Sequence, residues 1–425
     1  MTSLNKSFTA IEYLAIDIAN QYGKSKNPST TFNDLDKLTF EERIQWVRTH
    51  SSTLEQYTEE AEEPHLYWKA VNAFRKSIKG LPVGHTVALD AVCSGLQLMS
   101  VLTGCESGCY LTGLIAPNER TDAYTLICED MNQQLHNPIS IKRKDAKGAV
   151  MQTFYGSVSI ASKLFGHKTP AYYAFYNSLK RLGVGAWWLL QELKNAWNTG
   201  ALAHSWVLPD GYVAHVPVMV KQETRVAIAE LNYTMSVEYY DNQGTETGIS
   251  LPANLIHSLD SYVLRSLVRR CNYNPNQVNQ VLNLIEIELL QRGLDLHSVG
   301  VFDETLERHI QLWLKTAMVD VVIINHINQD NLWQLSLEHL RALSRVLTQV
   351  LTHEPFEVIT VHDSFSAHAN HCNRVRYWYK EILAELAEST TLAYLLSQLY
   401  QEDIKFKPLN PKLGAAIRNS NYGLC

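Results

Sequence analysis

Residues 86–100, TVALDAVCSGLQLMS, contain the pattern of a strand, a turn and the start of a helix in quick succession. Thr86–Leu89 is a short run of β-prone residues, and Asp90 follows it directly. Cys93-Ser94-Gly95 has the composition of a turn, and apolar residues then return at helical spacing as far as Thr103. A carboxylate at the end of a strand is placed to project into a cleft. We therefore predict that Asp90 lies in the functional site.

A second aspartate follows a strand pattern far along the chain. In FEVITVHDSFSAH (356–368), β-branched residues alternate and then stop at Asp363. Aspartates at the ends of adjacent strands can share a pair of metal ions, and carboxylate oxygens suit Mg²⁺. In phosphoryl transfer one such ion activates the attacking hydroxyl and the other neutralises the leaving pyrophosphate. Each aspartate alone is better explained as a turn cap, so only the pair indicates a metal site.

A basic helix is predicted over residues 143–165, between the two aspartates. Arg143, Lys147, Met151 and Tyr155 recur every fourth residue, which places them along one helix face over roughly 18 Å. Cations at one end of such a stripe would grip a triphosphate, and the aromatic ring at the other end would meet sugar and base. The alternative interpretation is a solvated basic face followed by a buried tyrosine.

The rest of the chain is ordinary in composition and rich in helical patterns. Helices are predicted in the first 80 residues, over 172–198 and through most of 254–352, with hairpins between them at Pro-Asp-Gly and Asn-Gln-Gly turns. The seven cysteines have no zinc-site spacing, and no apolar run reaches 18 residues, so we expect neither a zinc site nor a membrane span. The net charge of −6 leaves room for a local basic channel.

Three segments together resemble the single-subunit RNA polymerases of phages and mitochondria. DAVCSGLQLMS (90–100) is similar to that family's first metal motif, D-G-S-C-S-G-I-Q-H-F-S. RKDAKGAVMQTFYGS (143–157) is similar to its fingers-helix motif, R-x-x-x-K-x-x-V-M-x-x-x-Y-G, and VHDSF (361–365) to its second metal motif, H-D-S-F. The segments occur in the family's order. PANLIHSLD (252–260), DKLTFEERI (36–44) and the terminal SNYGLC add weaker similarities.

The resemblance implies a role for each matching residue. Asp90 and Asp363 would hold two Mg²⁺ ions, with help from the backbone carbonyl of Ala91, which stands where the family has glycine. Tyr155 would distinguish ribose from deoxyribose, and His362 would lie near the growing RNA 3′ end. The residues implied for nucleotide binding are Lys37, Tyr124, Arg143, Lys147, Tyr155 and His257, and those implied for catalysis are Asp90, Lys147, Tyr155, His362 and Asp363.

The fold class implied is a helix-rich α+β fold, with the palm and fingers of a right-hand polymerase but without a thumb or an N-terminal promoter domain. The predicted divisions are an N-terminal palm part at 1–95, fingers at 96–265 with a hairpin region at 204–249, a helical insertion at 266–338, and a C-terminal palm with a C-terminal foot at 339–425.

The missing parts imply partners. The chain resembles the larger, catalytic subunit of the split, heterodimeric polymerases of podophages, so a smaller subunit would supply the thumb and N-terminal parts. The other implied partners are a DNA template, expected to be single-stranded, the RNA product, NTPs and a recruitment factor that binds single-stranded DNA. We read DNQGTETG (241–248) as a short hairpin at the position of the family's promoter-specificity loop, which predicts weak promoter reading. The expected location is the cytoplasm of an infected bacterial host, without a membrane partner.

Two other functions fit parts of the pattern. A DNA polymerase of the same superfamily would share the palm, but its second metal motif usually reads HDE, whereas this chain has HDS. A polymerase fold that has lost catalysis would serve only in assembly. Such a protein is expected to lose its metal and triphosphate positions, and all of them are present in this sequence.

Overall fold

The computed structural model describes residues 6–26, 34–135, 139–157, 159–246, 248, 250–296 and 299–425. Helices dominate these ranges and the sheets are small, so the predicted helix-rich α+β class is confirmed. The first half contains α1 (Ala10–Tyr22), α2 (Phe40–Thr49), α3 (Pro64–Ile78), β1 (Thr86–Asp90), α4 (Ser94–Thr103), α5 (Glu106–Leu111), α6 (Ala123–Gln133), α7 (Arg143–Phe154), α8 (Ile160–Phe165), α9 (Pro170–Leu182), α10 (Val184–Asn195), β2 (Ala203–Val207) and β3 (Val213–Pro217).

The second half continues with β4 (Met219–Ile228), β5 (Tyr233–Asn242), α11 (Ser250–Cys271), α12 (Pro275–Gly293), α13 (Glu304–Thr316), α14 (Leu337–Val350), β6 (Ile359–Val361), β7 (Ser364–His368), α15 (Cys372–Glu388), α16 (Thr391–Tyr400) and α17 (Leu413–Arg418). Short 3-10 turns join several of these elements. In the part of the chain that the structure describes, no helix is both long and apolar enough to cross a membrane.

The N-terminal helices begin where the sequence provides caps. Thr9 caps α1 and Thr39 caps α2, and in each case the glutamate three residues later completes a capping box. These reciprocal bonds satisfy backbone groups that would otherwise lack partners at a helix start. Helix α1 packs against α2 and α3, and its residues 13–19 are all buried, including Tyr13, Ile16 and Ile18.

A three-stranded antiparallel sheet of order β1-β7-β6 joins distant parts of the sequence. In its register Asp90 lies opposite Ser364, and Leu89 lies opposite Phe365. Leu89 and Phe365 are buried, so the apolar face of the sheet rests on the core. The sheet therefore brings Asp90 and the turn that contains Asp363 to the same edge, as expected for aspartates on adjacent strands.

The predicted basic helix over 143–165 is two helices. Helix α7 ends at Phe154, Tyr155 is its C-cap residue, and α8 begins at Ile160. Gly156 has a φ of 96°, a backbone conformation that glycine adopts without strain and that ends the helix. Residue 158, within the interruption, lies outside the described residues. The helix predicted over 172–198 is likewise divided, at Gly183 between α9 and α10.

Of the two turns predicted in the hairpin region, one is confirmed and the other is wrong. Strands β2 and β3 pair across the Pro-Asp-Gly turn as predicted. Strands β4 and β5, however, turn at Ala229–Leu231 and Asn232, and Asp241 and Asn242 belong to β5. The stretch 241–248 is therefore not a short hairpin. The long β4–β5 ribbon precedes it, because Met219–Ile228 and Tyr233–Asn242 pair over their full lengths. Residues 247 and 249 lie outside the described residues.

Helices α11, α12, α13 and α14 cover most of the described residues between 250 and 350, as the leucine-rich pattern predicted. Arg269 on α11 forms ion pairs with Asp320 at 2.8 Å and with Asp210 at 3.0 Å, which links the β2–β3 turn to the region between α13 and α14. The predicted divisions at 95/96, 265/266 and 338/339 fall inside α4, α11 and α14. No change of element marks these divisions, which remain predictions; residues 297 and 298 of the predicted insertion are not described.

Candidate active site

A cavity of about 1020 Å³ opens at the edge of the β1-β7-β6 sheet. Its walls come from β1, α4, α6, α7, α11, the β6–β7 turn and the end of the chain. Every residue that the sequence predicted for the site lines this cavity: Lys37, Asp90, Ala91, Tyr124, Arg143, Lys147, Tyr155, His257, His362 and Asp363. Residues separated by more than 300 positions thus face one space.

The two aspartates meet through backbone pairing. Asp90 ends β1, and the amide of Ala91 donates a hydrogen bond of 3.1 Å to the carbonyl of Asp363. Burial raises the pKa of the Asp363 carboxyl, and the charge of Asp90 raises it further. A neighbouring carboxylate has this effect because two negative charges repel each other. The pair therefore favours a bound cation.

The end of the chain holds Asp90 from its other side. The amide of Asp90 donates to the carbonyl of Cys425 at 3.1 Å, and the amide of Cys425 donates to the carbonyl of Asp90 at 3.0 Å. Gln97 on α4 donates to the carbonyl of Gly423 at 3.0 Å. The backbone of Asp90 is therefore fixed from both sides, while its side chain is exposed towards the cavity.

The donor chemistry of this edge fits magnesium. Asp90 and Asp363 offer hard carboxylate oxygens, and Ala91 lines the cavity beside them. Among the described residues, no group of three histidine, cysteine or acidic side chains forms a ready metal cluster. Mg²⁺ usually takes one or two protein carboxylates and completes its shell with water and substrate phosphates. Two aspartates therefore suffice for this ion.

Helix α7 presents its cations above an aromatic ring. The Arg143 Nε donates to Asp122 Oδ2 and to Thr125 Oγ1, each at 2.9 Å, so neighbours on α6 and its N-cap orient the guanidinium. Lys147 is exposed to the cavity and has no carboxylate within ion-pair distance among the described residues. The Arg143 guanidinium and the Lys147 Nζ lie 5.7 Å and 5.5 Å from the centre of the Tyr124 ring. The arrangement concentrates positive charge on one wall.

Tyr155 lies at the end of this wall between α4 and α11. Its ring packs on His257 with 4.6 Å between ring centres, and its hydroxyl is 3.3 Å from Ser94 Oγ. A Cβ atom on Gly95 would lie only 3.0 Å from Tyr155 Cζ, so the ring needs glycine there. Burial, and next the charge of Asp260, raise the pKa of Tyr155, which keeps the phenol protonated.

Two further predicted residues, Lys37 and His362, line the same cavity. Lys37 ends a short 3-10 turn and pairs with Asp36 beside it, so its charge is partly satisfied within the chain. His362 lies between β6 and β7 with a φ of 55°, in the left-handed region that non-glycine residues rarely adopt. Such backbone strain is concentrated at functional sites.

Residues 6–168 match the family model described as DNA-dependent RNA polymerase. This range is less than half of the chain, and the match supports a similarity to the phage-type single-subunit RNA polymerases. The match indicates a nucleotidyltransferase and supports DNA-dependent RNA synthesis in general. No curated protein matched the chain. The matched range includes Asp90 and α7, whereas His257 and Asp363 lie beyond it.

The cavity also contains residues to which the sequence analysis assigns no role. Asp260 lies within the segment 252–260, and it shares a face of α11 with His257 three residues earlier. Burial raises the pKa of Asp260 to about 7, and the charge of Asp363 adds to the shift. Ser94, Arg120 and Asp122 line the cavity as well. Only the spacing of His257 and Asp260 could have been read from the sequence.

Proposed function

We propose that this chain is the catalytic subunit of a split phage-type RNA polymerase that uses two Mg²⁺ ions. In the proposed reaction the RNA 3′-hydroxyl attacks the α-phosphate of an NTP paired to a DNA template, and pyrophosphate leaves. The observation that carries the proposal is the convergence of Asp90, Asp363, Arg143, Lys147 and Tyr155 on one cavity. No single local motif would bring these five together.

In this proposal the acidic and the basic walls of the cavity have different tasks. Asp90 and Asp363, with the carbonyl of Ala91, would hold the magnesium ions, which supply activation of a hydroxyl and neutralisation of phosphate charge. Arg143 and Lys147 would bind the triphosphate. The packing of Tyr124 against both cations supports their position, because it fixes their side chains along the cavity wall before a substrate arrives.

The aromatic end of α7 would receive the sugar. Tyr155 is fixed by His257, Ser94 and Gly95, so its hydroxyl has a defined position from which to bind a ribose hydroxyl. Lys37 would contact the nucleotide, and His362 would lie near the RNA 3′ end. A site built to bind a hydroxyl discriminates strongly against a substrate that lacks it.

We also propose that a smaller subunit covers part of this chain. Apolar side chains are exposed along α12 and after it, with Leu290 at 66% and Val301 at 69% exposure. Exposed apolar surface of this kind is typical of sites that bind other proteins. The proposed template is single-stranded DNA, reached with a recruitment factor in the cytoplasm of an infected bacterial host.

The proposal is tested by RNA primer extension on single-stranded DNA with Mg²⁺, using the chain co-expressed with the products of neighbouring reading frames. Asp363→Asn and Asp90→Asn should each lower the rate roughly 1000-fold or more, because metal binding contributes several kcal/mol to the transition state. Asp241→Asn, an exposed change on the β4–β5 ribbon, is the control and should leave the rate unchanged. Near wild-type extension by Asp363→Asn would refute the two-metal assignment. Preferred use of dNTPs by the wild type would instead indicate a DNA polymerase.

A further inference from the structure

Ser94 links Tyr155 to Asp260 by hydrogen bonds. Ser94 Oγ lies 3.3 Å from the Tyr155 hydroxyl, and it donates to Asp260 Oδ2 at 3.3 Å. Both distances are at the long end for hydroxyl hydrogen bonds, as is common before a substrate fills a site. The three side chains come from α4, from the C-cap of α7 and from α11, so the connection joins three separate walls of the cavity.

The chemistry of the acceptor sets the direction of these bonds. A hydroxyl has one proton, so Ser94 cannot donate to Asp260 and to Tyr155 at once. While Ser94 donates to the carboxyl, its oxygen can only accept from Tyr155. The Tyr155 proton is then engaged, and the lone pairs of its oxygen remain free to accept. An oxygen in this state accepts a hydrogen bond from a ribose 2′-hydroxyl, and a deoxyribose has no donor at that position.

Asp363 also lies within reach of the Ser94 hydroxyl and can accept its proton. Under the proposed function that carboxylate holds magnesium, which leaves Asp260 as the acceptor free for Ser94. Asp260 keeps an accepting oxygen whether or not its carboxyl is protonated.

We propose that Asp260 is a positioning residue for sugar selection, which acts through Ser94 to make the Tyr155 hydroxyl a hydrogen-bond acceptor for the ribose 2′-hydroxyl. This inference rests on the proposed function, because it requires that Tyr155 reads the sugar. It assigns Ser94, Gly95 and Asp260 to one unit that orients Tyr155. Ser94 and Asp260 set the direction of the bond, and Gly95 provides the space in which the ring rests.

The test compares GTP with dGTP in single-nucleotide addition by the primer-extending form of the full chain. The ratio of the two kcat/KM values measures sugar selection. Asp260→Leu and Ser94→Ala should each lower this ratio by roughly 10-fold, a part of the loss expected for Tyr155→Phe. Asp260→Asn keeps an accepting oxygen and should retain most of the ratio. Ser100→Ala, which removes another buried hydroxyl from α4 outside the cavity, is the matched control and should change nothing.

A double variant tests the coupling between Asp260 and Tyr155 more directly. Once Tyr155→Phe has removed the phenolic hydroxyl, adding Asp260→Leu should lower the ratio no further, because Asp260 acts only through that hydroxyl. Gly95→Ala tests the same unit without a polar change and should also relax sugar selection, since the ring must shift by a few tenths of an ångström.

Different failures have different meanings. A wild-type ratio in Asp260→Leu and Ser94→Ala, or an equal further loss in the Tyr155→Phe background, would overturn this inference alone. Loss of addition of both nucleotides by folded Asp260→Asn and Ser94→Ala would overturn it too, because Asp260 would then serve the chemical step. An unchanged ratio in Tyr155→Phe would refute the proposed sugar-reading role, and a wild type that adds neither nucleotide would refute the proposed function.

Discussion

Lys147 has the least restrained charge on the basic wall. Arg143 is held by Asp122, whereas Lys147 is exposed and only packs against the Tyr124 ring. Lys147→Ala should raise the KM for NTPs roughly 10- to 100-fold, since a charge-assisted bond to phosphate contributes about 1.5–3 kcal/mol. Steady-state kinetics measures the effect, and Lys144→Ala, an exposed neighbour outside the cavity, should have no such effect. Equal KM values for the two variants would remove Lys147 from the triphosphate site.

The sequence predicted individual site residues where they recur at helical spacing. Arg143, Lys147 and Tyr155 follow a helical period, and the structure has all three on one cavity wall. Partners contributed by other elements were not predictable. Asp122 belongs to the N-cap of α6 and Ser94 to the start of α4, and only tertiary folding brings them to α7.

At the scale of elements, an ion pair fixes α11 to the segment between α13 and α14. Burial opposes the charge of Asp320, but Arg269 outweighs that effect and lowers the pKa of Asp320. A carboxyl with a lowered folded pKa contributes fully above its unfolded pKa of about 4, and its contribution is lost as the pH falls through the folded value. Asp320→Asn should therefore reduce the free energy of unfolding by about 3–5 kcal/mol at pH 7, and by progressively less below about pH 4. Denaturant unfolding at pH 7 and below about pH 4 measures the change in the free energy of unfolding. A loss that does not depend on pH would contradict the role of the ion pair.

For the β4–β5 ribbon we predict the opposite, namely a small effect on stability. Nearly all of its residues are exposed, so few buried contacts depend on it. Replacement of residues 220–241 by a short glycine-asparagine turn should change the free energy of unfolding of the rest by less than about 1 kcal/mol. Primer extension on single-stranded DNA should continue at a near wild-type rate. A large fall in melting temperature would show that the ribbon packs against the body of the chain.

The sequence predicted most helices and strands correctly, but it predicted the residues at which they end less accurately. Periodicity identified α7, but nothing in it revealed that Tyr155 caps the helix, which depends on Gly156 and on the position of the ring beside α4. In the ribbon, Asn-Gln-Gly was the stronger local turn signal, yet cross-strand pairing over the whole of β4 and β5 determined the turn at Ala229–Asn232.

At the scale of the whole molecule, the proposed smaller subunit should affect both stability and activity. If it buries roughly 2,000 Å² or more, as obligate interfaces do, the melting temperature of the chain should rise when the partner is added. Template affinity of the complex should fall steeply with salt, by roughly 1000-fold between 50 and 200 mM, because phosphate contacts release counterions. Thermal melts and fluorescence anisotropy measure the two effects. Promoter-specific transcription of linear duplex DNA by the chain alone would contradict this prediction.

The pairing of β1 with β7 has a consequence for synthesis on the ribosome. Asp90 and Asp363 are separated by 273 positions, yet their strands are hydrogen-bonded neighbours. At about 5–20 residues per second, roughly 14–55 s pass between translation of the first strand and of its partner. Throughout this time β1 has an unpaired edge, which is open to wrong pairing with other nascent chains. An unfinished chain has only one aspartate of the pair, so under the proposed function catalysis begins only after translation has passed Asp363.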